Sequence, residues 1–281
     1  MQEFRGYKDA VLRISDQDSF THEGTILIFP GGGYRRLSDR EGDVIIRAFG
    51  SRGYRWAVLE YDVSREILGL VPLKQAAWAA AKLRELYPDE PLVVCGFSAG
   101  AHLAGSLSIH HDDTDWNGDP LFNEVTELLG TESPQFRPDG MILAYPVVTG
   151  GVYAHRGSFD RLLGSRDAYK EKYGDTDGYD RALNWFSLEK QVHESTPPGF
   201  IWQTETDNSV PVQNSLMLVS AMAEQGIPVE YHLYPEGVHG MSLATKEVEE
   251  LGKNRIADPH IADWFNRCAD WLQDVLIPKF H

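Results

Sequence analysis

Short, almost wholly apolar runs alternate with longer segments of helical periodicity along this chain, and that alternation leaves few folds open. The runs TILIFP (25–30), YRWAVLEYDV (54–63), PLVVCGF (91–97), GMILAYPVV (140–148), GFIWQT (199–204) and VEYHLYP (229–235) read as strands. Segments 39–53, 72–87, 99–110, 210–226 and 259–277 read as helices. Pro72 stands at the start of its helix, where a missing N–H costs nothing. Continuously apolar strands need cover on both faces, and helices between strands imply parallel pairing through right-handed crossovers. The expectation is an α/β fold, a mostly parallel twisted sheet with helices on both faces. Residues 149–198 break the rhythm with glycines, tyrosines and charges but no clear strand. They are expected to form a small, cap-like helical insertion over the sheet's edge, within a single domain spanning 1–281.

The chain carries 26 basic and 42 acidic residues, a formal net charge of −16. Such a surface disfavours polyphosphate backbones and anionic bilayers, so neither a nucleic acid nor a membrane is an expected partner. Residues 1–24 mix charges throughout and contain no apolar run, so no secretory leader is expected. No run is long enough to cross a bilayer, and the simplest expected location is the cytoplasm. Cys95 lies in an apolar strand and Cys268 in a helical pattern, which suggests neither a disulfide framework nor a zinc site. No metal or other cofactor is expected. Homo-oligomerisation stays open.

Ser98 ends an apolar strand and begins a helix, in the stretch VVCGFSAGAHLA. In an open parallel sheet, ligands bind beyond the carboxyl ends of the strands. A sharp turn at that place exposes the hydroxyl, and Gly96 and Gly100 clear side chains from the turn. A serine hydroxyl attacks a carbonyl only when a base removes its proton, and the base is usually a histidine held by a carboxylate. On this architecture the carboxylate and then the histidine follow in loops after later strands. Asp207 follows the run GFIWQT and His239 follows VEYHLYP, so both stand where the chemistry needs them. Glu205 and Glu236 are weaker rivals, one too near the strand and the other too near His239. His102 reads as structural, and His110 and His111 as favourable charges at a helix end.

Attack on a carbonyl builds negative charge on its oxygen, which needs waiting N–H donors. Ala99 supplies one candidate as the residue after the serine. The loop FPGGGY (29–34) follows the first strand and supplies the other, with Gly32 first and Gly31 and Gly33 behind it. No lysine follows in the manner of a phosphate-binding loop. Tyr34 and His155 are candidates for touching a substrate, and Tyr34, Trp116 and Tyr153 for offering flat faces to sugar rings.

The segments FPGGGY, GFSAGAHLA, AYPVV, TETDNSVPVQNSL and YPEGVHG together resemble the bacterial α/β-hydrolase esterases of the acetyl esterase and acetylxylan esterase type. HRGS and FSLEKQVHESTPP share that resemblance. It implies the α/β-hydrolase fold, a catalytic triad of Ser98, Asp207 and His239, and an oxyanion hole built from the glycine loop and Ala99. It also implies a small-molecule ester as substrate, with a short acyl group, chiefly acetyl, on a carbohydrate or small alcohol. Pro30 stands where many members have histidine, and Ala101 where many have a second glycine. An amide hydrolase such as an arylformamidase, or a binding protein on a hydrolase scaffold, are the competing expectations.

Overall fold

The computed structural model describes residues 1–15, 23–131, 135–174 and 176–276. Eight strands make one sheet in the order β1-β2-β4-β3-β5-β6-β7-β8. They are β1 (Gln2–Arg5), β2 (Val11–Ile14), β3 (Thr25–Phe29), β4 (Arg55–Glu60), β5 (Leu92–Phe97), β6 (Gly140–Ala144), β7 (Gly199–Thr204) and β8 (Val229–Tyr234). Pairing from β4 to β8 is parallel throughout, while β1 and β2 form an antiparallel hairpin that joins β4 antiparallel.

Strands β3, β5, β6 and β7 are buried along their whole length because helices cover both faces. Alternate side chains divide between two cores. Leu27, Phe29 and Val94 face one side, with α2 (Val71–Leu86), α3 (Ala99–Ile109) and α8 (Gln213–Glu224). Ile26, Ile28 and Cys95 face the other, with α1 (Asp43–Gly50), α9 (Pro259–Ala262) and α10 (Trp264–Trp271). Removing each such aliphatic side chain from water stabilises the fold by about 1.5–3 kcal/mol, before the entropy of ordering it. Both cysteines are free and buried.

Several boundaries differ from the sequence expectation for local reasons. Segment 39–53 splits into a 3₁₀ turn, Asp39–Glu41, and α1, with Gly42 between. The strand expected over 140–148 stops at Ala144, where Tyr145 turns to a φ of +38° and Pro146 has no N–H to offer a ladder. The C-terminal helix is broken into α9, α10 and a π turn, Leu272–Leu276. Its expected last residue, Ile277, lies outside the described residues. The hairpin β1–β2 and the short helix α4 (Asn123–Leu129) were not anticipated.

Between β6 and β7 lie α5 (Arg156–Leu163), α6 (Arg166–Tyr173) and α7 (Asp177–Trp185). Helices α5 and α7 meet the α3 side of the molecule, where Phe159 lies edge-on to His102 and Trp185 stacks on His110, and the segment after α7 packs on α3 directly. Phe186 O accepts from His102 Nε2 at 2.8 Å, and Leu188 fills the space left by the absent side chain of Gly105. Among the described residues, no helix is long and apolar enough to cross a membrane.

Candidate active site

The turn from β5 into α3 carries Ser98 with φ +55° and ψ −116°, a conformation that L residues rarely adopt. Crowding explains the flanking glycines. A Cβ on Gly96 would lie 2.3 Å from Gly100 O, and a Cβ on Gly100 would lie 2.1 Å from Phe29 O. The first clash is across the turn; the second is with the end of β3. Ser98 N donates to Ala144 O at 3.0 Å, which ties the turn to β6.

The loops after β7 and β8 bring the partners to this turn. His239 Nε2 lies 2.8 Å from Ser98 Oγ, and His239 Nδ1 lies 2.7 Å from Asp207 Oδ2. The Asp207 side chain is wholly enclosed, and its other oxygen accepts the N–H groups of Ser209 and Val210 at 2.9 and 2.8 Å. A carboxylate so held can only accept, so it fixes the imidazole with its proton on Nδ1 and a lone pair on Nε2 towards the serine. The two loops are zipped together. Thr206 Oγ1 accepts from Gly237 N at 2.9 Å, and Thr204 Oγ1 donates to Gly237 O at 2.9 Å. Glu205 and Glu236 point to solvent and take no part.

The glycine loop lies against the same turn. Gly32 O accepts from Arg35 N and Gly31 O from Ser38 N, so the loop closes through carbonyls. Among the described residues, the N–H groups of Gly32, Gly33 and Ala99 meet no protein acceptor. Gly31 is different: its N–H donates to Glu41 Oε2 at 2.9 Å and is not free for a ligand. Gly32 and Gly33 have φ of +128° and +64°, which suit glycine.

A cleft of about 320 Å³ opens over Ser98 and His239, with Gly32, Gly33 and His155 in its wall. His155 Nδ1 lies 2.9 Å from Ser158 Oγ, and burial, then the neighbouring His239, pushes its pKa down. The aromatic platforms expected from sequence do not line this cleft. Tyr34 is a correction: its φ of +58° sends the ring into the core, 1% exposed, where its hydroxyl meets His102 Nδ1 at 2.9 Å. It offers no face to a substrate. Trp116 packs on Trp185 and Phe186, and Tyr153 stands apart from the cleft with its carbonyl bonded by Asn214. His102 is structural, its pKa lowered to about 4 by burial. His110 is buried and stacked on Trp185, with Nδ1 3.0 Å from Asp113 Oδ2. His111 is buried beside His193, and burial lowers its pKa.

Comparisons with known proteins bear on the fold and the broad class of activity. The prolyl oligopeptidase family is matched over residues 141–271. An endo-1,4-beta-xylanase B of Butyrivibrio fibrisolvens is 38% identical over 230 residues, 79% of this chain but 33% of that protein. The chain thus spans about a third of the length of the curated relative it matches. Among solved structures, an acetyl ester-xyloside bifunctional hydrolase from Caldicellulosiruptor lactoaceticus superposes with a TM-score of 0.75 at 28% identity, over 95% of this chain and 88% of that one. The carboxylesterase Cest-2923 from Lactobacillus plantarum superposes with a TM-score of 0.74 at 22% identity, over 99% and 98%.

This chain is an α/β-hydrolase. Within that fold its likeness is to esterases.

The hydrolase holds its site with buried polar groups that sequence reasoning missed. Glu41, 4% exposed, accepts from Gly31 N through Oε2 and from the Tyr145 hydroxyl through Oε1 at 2.7 Å. Tyr145 also accepts from Ser242 N at 3.1 Å and sets its ring edge-on to His239, centroids 5.1 Å apart. Burial, then the Glu41 charge, raises the Tyr145 pKa and keeps the hydroxyl a donor. Arg40 donates to Gly240 O at 2.8 Å, and Arg255 to His239 O at 2.9 Å. The glycine loop, the end of β6 and the histidine loop are thereby one unit. In sequence, SDREGD reads only as a charged helix start, so nothing marked Glu41. Glu41→Ala is expected to lower stability by roughly 2–6 kcal/mol, because two buried donors lose their acceptor at about 1–3 kcal/mol each. Urea unfolding measures this; a change under about 0.5 kcal/mol, the scatter of surface substitutions, would show that the network carries no weight.

Proposed function

We propose that the hydrolase is a serine esterase that removes short acyl groups, chiefly acetyl, from carbohydrate or small-alcohol esters. The observation that carries this reading is the hydrogen-bonded series Ser98–His239–Asp207, together with the Gly32, Gly33 and Ala99 N–H groups that have no protein acceptor among the described residues. His239 Nε2 takes the Ser98 proton as Oγ bonds to the ester carbonyl carbon. The carbonyl oxygen becomes an oxyanion, held by the Gly32 and Ala99 N–H groups. The imidazolium, stabilised by Asp207, gives its proton to the departing alcohol and leaves an acyl-serine. Water then repeats the sequence: it loses a proton to His239, attacks the acyl carbon, and the acid leaves as Ser98 regains its proton.

Support for the acetyl preference comes from the Caldicellulosiruptor neighbour, an acetyl ester-xyloside bifunctional hydrolase, at 28% identity. The prolyl oligopeptidase match keeps amide cleavage as the rival reading, since the same groups serve both bonds. A panel of 4-nitrophenyl esters of rising chain length, acetylated xylo-oligosaccharides and an N-formyl arylamine tests both. Acetyl esters are expected to give the highest kcat/KM. Faster cleavage of the formamide than of any ester would overturn the reading.

A further inference from the structure

The net charge of the chain is −16, yet the wall of the cleft over Ser98 carries three arginines, Arg35, Arg36 and Arg255. Arg255 is fully engaged: its Nε holds His239 O, and its Nη1 pairs with Glu250 Oε2 at 2.6 Å. Arg35 and Arg36 are exposed, and among the described residues neither guanidinium has an ion pair or a hydrogen bond. Elsewhere Arg13, Arg55, Arg84 and Arg166 each find a carboxylate. No acid at the cleft can play that part. Glu41 has both oxygens occupied by Gly31 and Tyr145, and Asp207 is enclosed behind His239.

The base that presents these two side chains is firm. Arg35 N bonds to Gly32 O at 3.1 Å, Tyr34 is locked in the core, and Tyr34 O accepts from Arg161 Nε at 3.2 Å. The two cations therefore stand on the glycine loop itself, next to the N–H groups assigned to the oxyanion. Planar guanidinium groups bind carboxylate and phosphate through paired N–H donors. A local positive field in a concave site also gathers anionic ligands against the repulsion of the rest of the surface.

We propose that Arg35 and Arg36 form a subsite for an anionic group on the alcohol portion of the ester, so that the preferred substrates are acylated saccharides bearing a carboxylate or a phosphate. The inference rests on the esterase reading above. An acetyl group has no room for a charge, so the anion belongs to the alcohol, which leaves towards the open mouth of the cleft.

The test compares three acetates on one sugar framework: a methyl O-acetylglucoside, the matching methyl O-acetylglucuronoside, and the matching O-acetylglucose 6-phosphate. At low ionic strength kcat/KM is expected to be roughly tenfold higher for at least one anionic sugar than for the neutral one, and the two anionic arms say which anion fits. The preference should shrink as salt screens the charges. In the double variant Arg35→Gln/Arg36→Gln the ratio of anionic to neutral kcat/KM should fall to about one. Equal kcat/KM for all three sugars in the wild type, with 4-nitrophenyl acetate still hydrolysed, overturns the subsite and leaves the esterase reading standing. A ratio unchanged in the double variant overturns the subsite as well. No hydrolysis of any of the four esters overturns both.

Discussion

Replacing Ser98 with alanine is expected to lower the turnover of 4-nitrophenyl acetate by about a million-fold, the loss typical when such a nucleophile is removed. The hydroxyl is the group 2.8 Å from His239 Nε2, and alanine leaves the imidazole with a proton to take from nothing but water. The flanking glycines and the β5–α3 turn are untouched, so circular dichroism and the urea midpoint should stay near those of the parent. A variant that kept more than about a thousandth of the parental kcat/KM, well above the residual activity expected without the nucleophile, would show that hydrolysis runs through another group.

Asp207→Asn is expected to cost about ten-thousand-fold in kcat, the loss seen when other serine hydrolases suffer this change. Asparagine is close in shape to aspartate and can keep an oxygen towards the Ser209 and Val210 N–H groups, so the loop should hold. Its amide would then face His239 Nδ1 with donors. The imidazole answers by moving its proton to Nε2, the nitrogen that must accept from Ser98. The fall should therefore appear in kcat, with KM little changed. A loss under about tenfold, far short of the usual cost, would mean that His239 takes its orientation from elsewhere, with the Tyr145 ring the nearest alternative.

The fold and the meeting of Ser98, Asp207 and His239 were legible in the sequence for one physical reason. Strands buried on both faces leave long apolar runs, and whatever follows each run lies at the same rim of the sheet. What the sequence hid depended on direction and on long-range pairing. Tyr34 sits beside the glycine loop in sequence, but a left-handed backbone turns its ring inward. Tyr145 continues an apolar run yet bends out of β6 to reach Glu41, 104 positions away. The hairpin β1–β2 begins with the alternating, half-exposed strand QEFR, which leaves no apolar run to notice. Nothing in the sequence around Arg35 and Arg36 marks them; only the cleft geometry separates them from the other arginines.

Ser98 is kept in a backbone well that glycine would occupy freely, and such a posture typically stores about 1–3 kcal/mol. Holding the hydroxyl upright is expected to cost the fold that much stability. Any screen that rewards heat resistance alone will therefore drift towards inert proteins, and Ser98→Gly is where that drift begins.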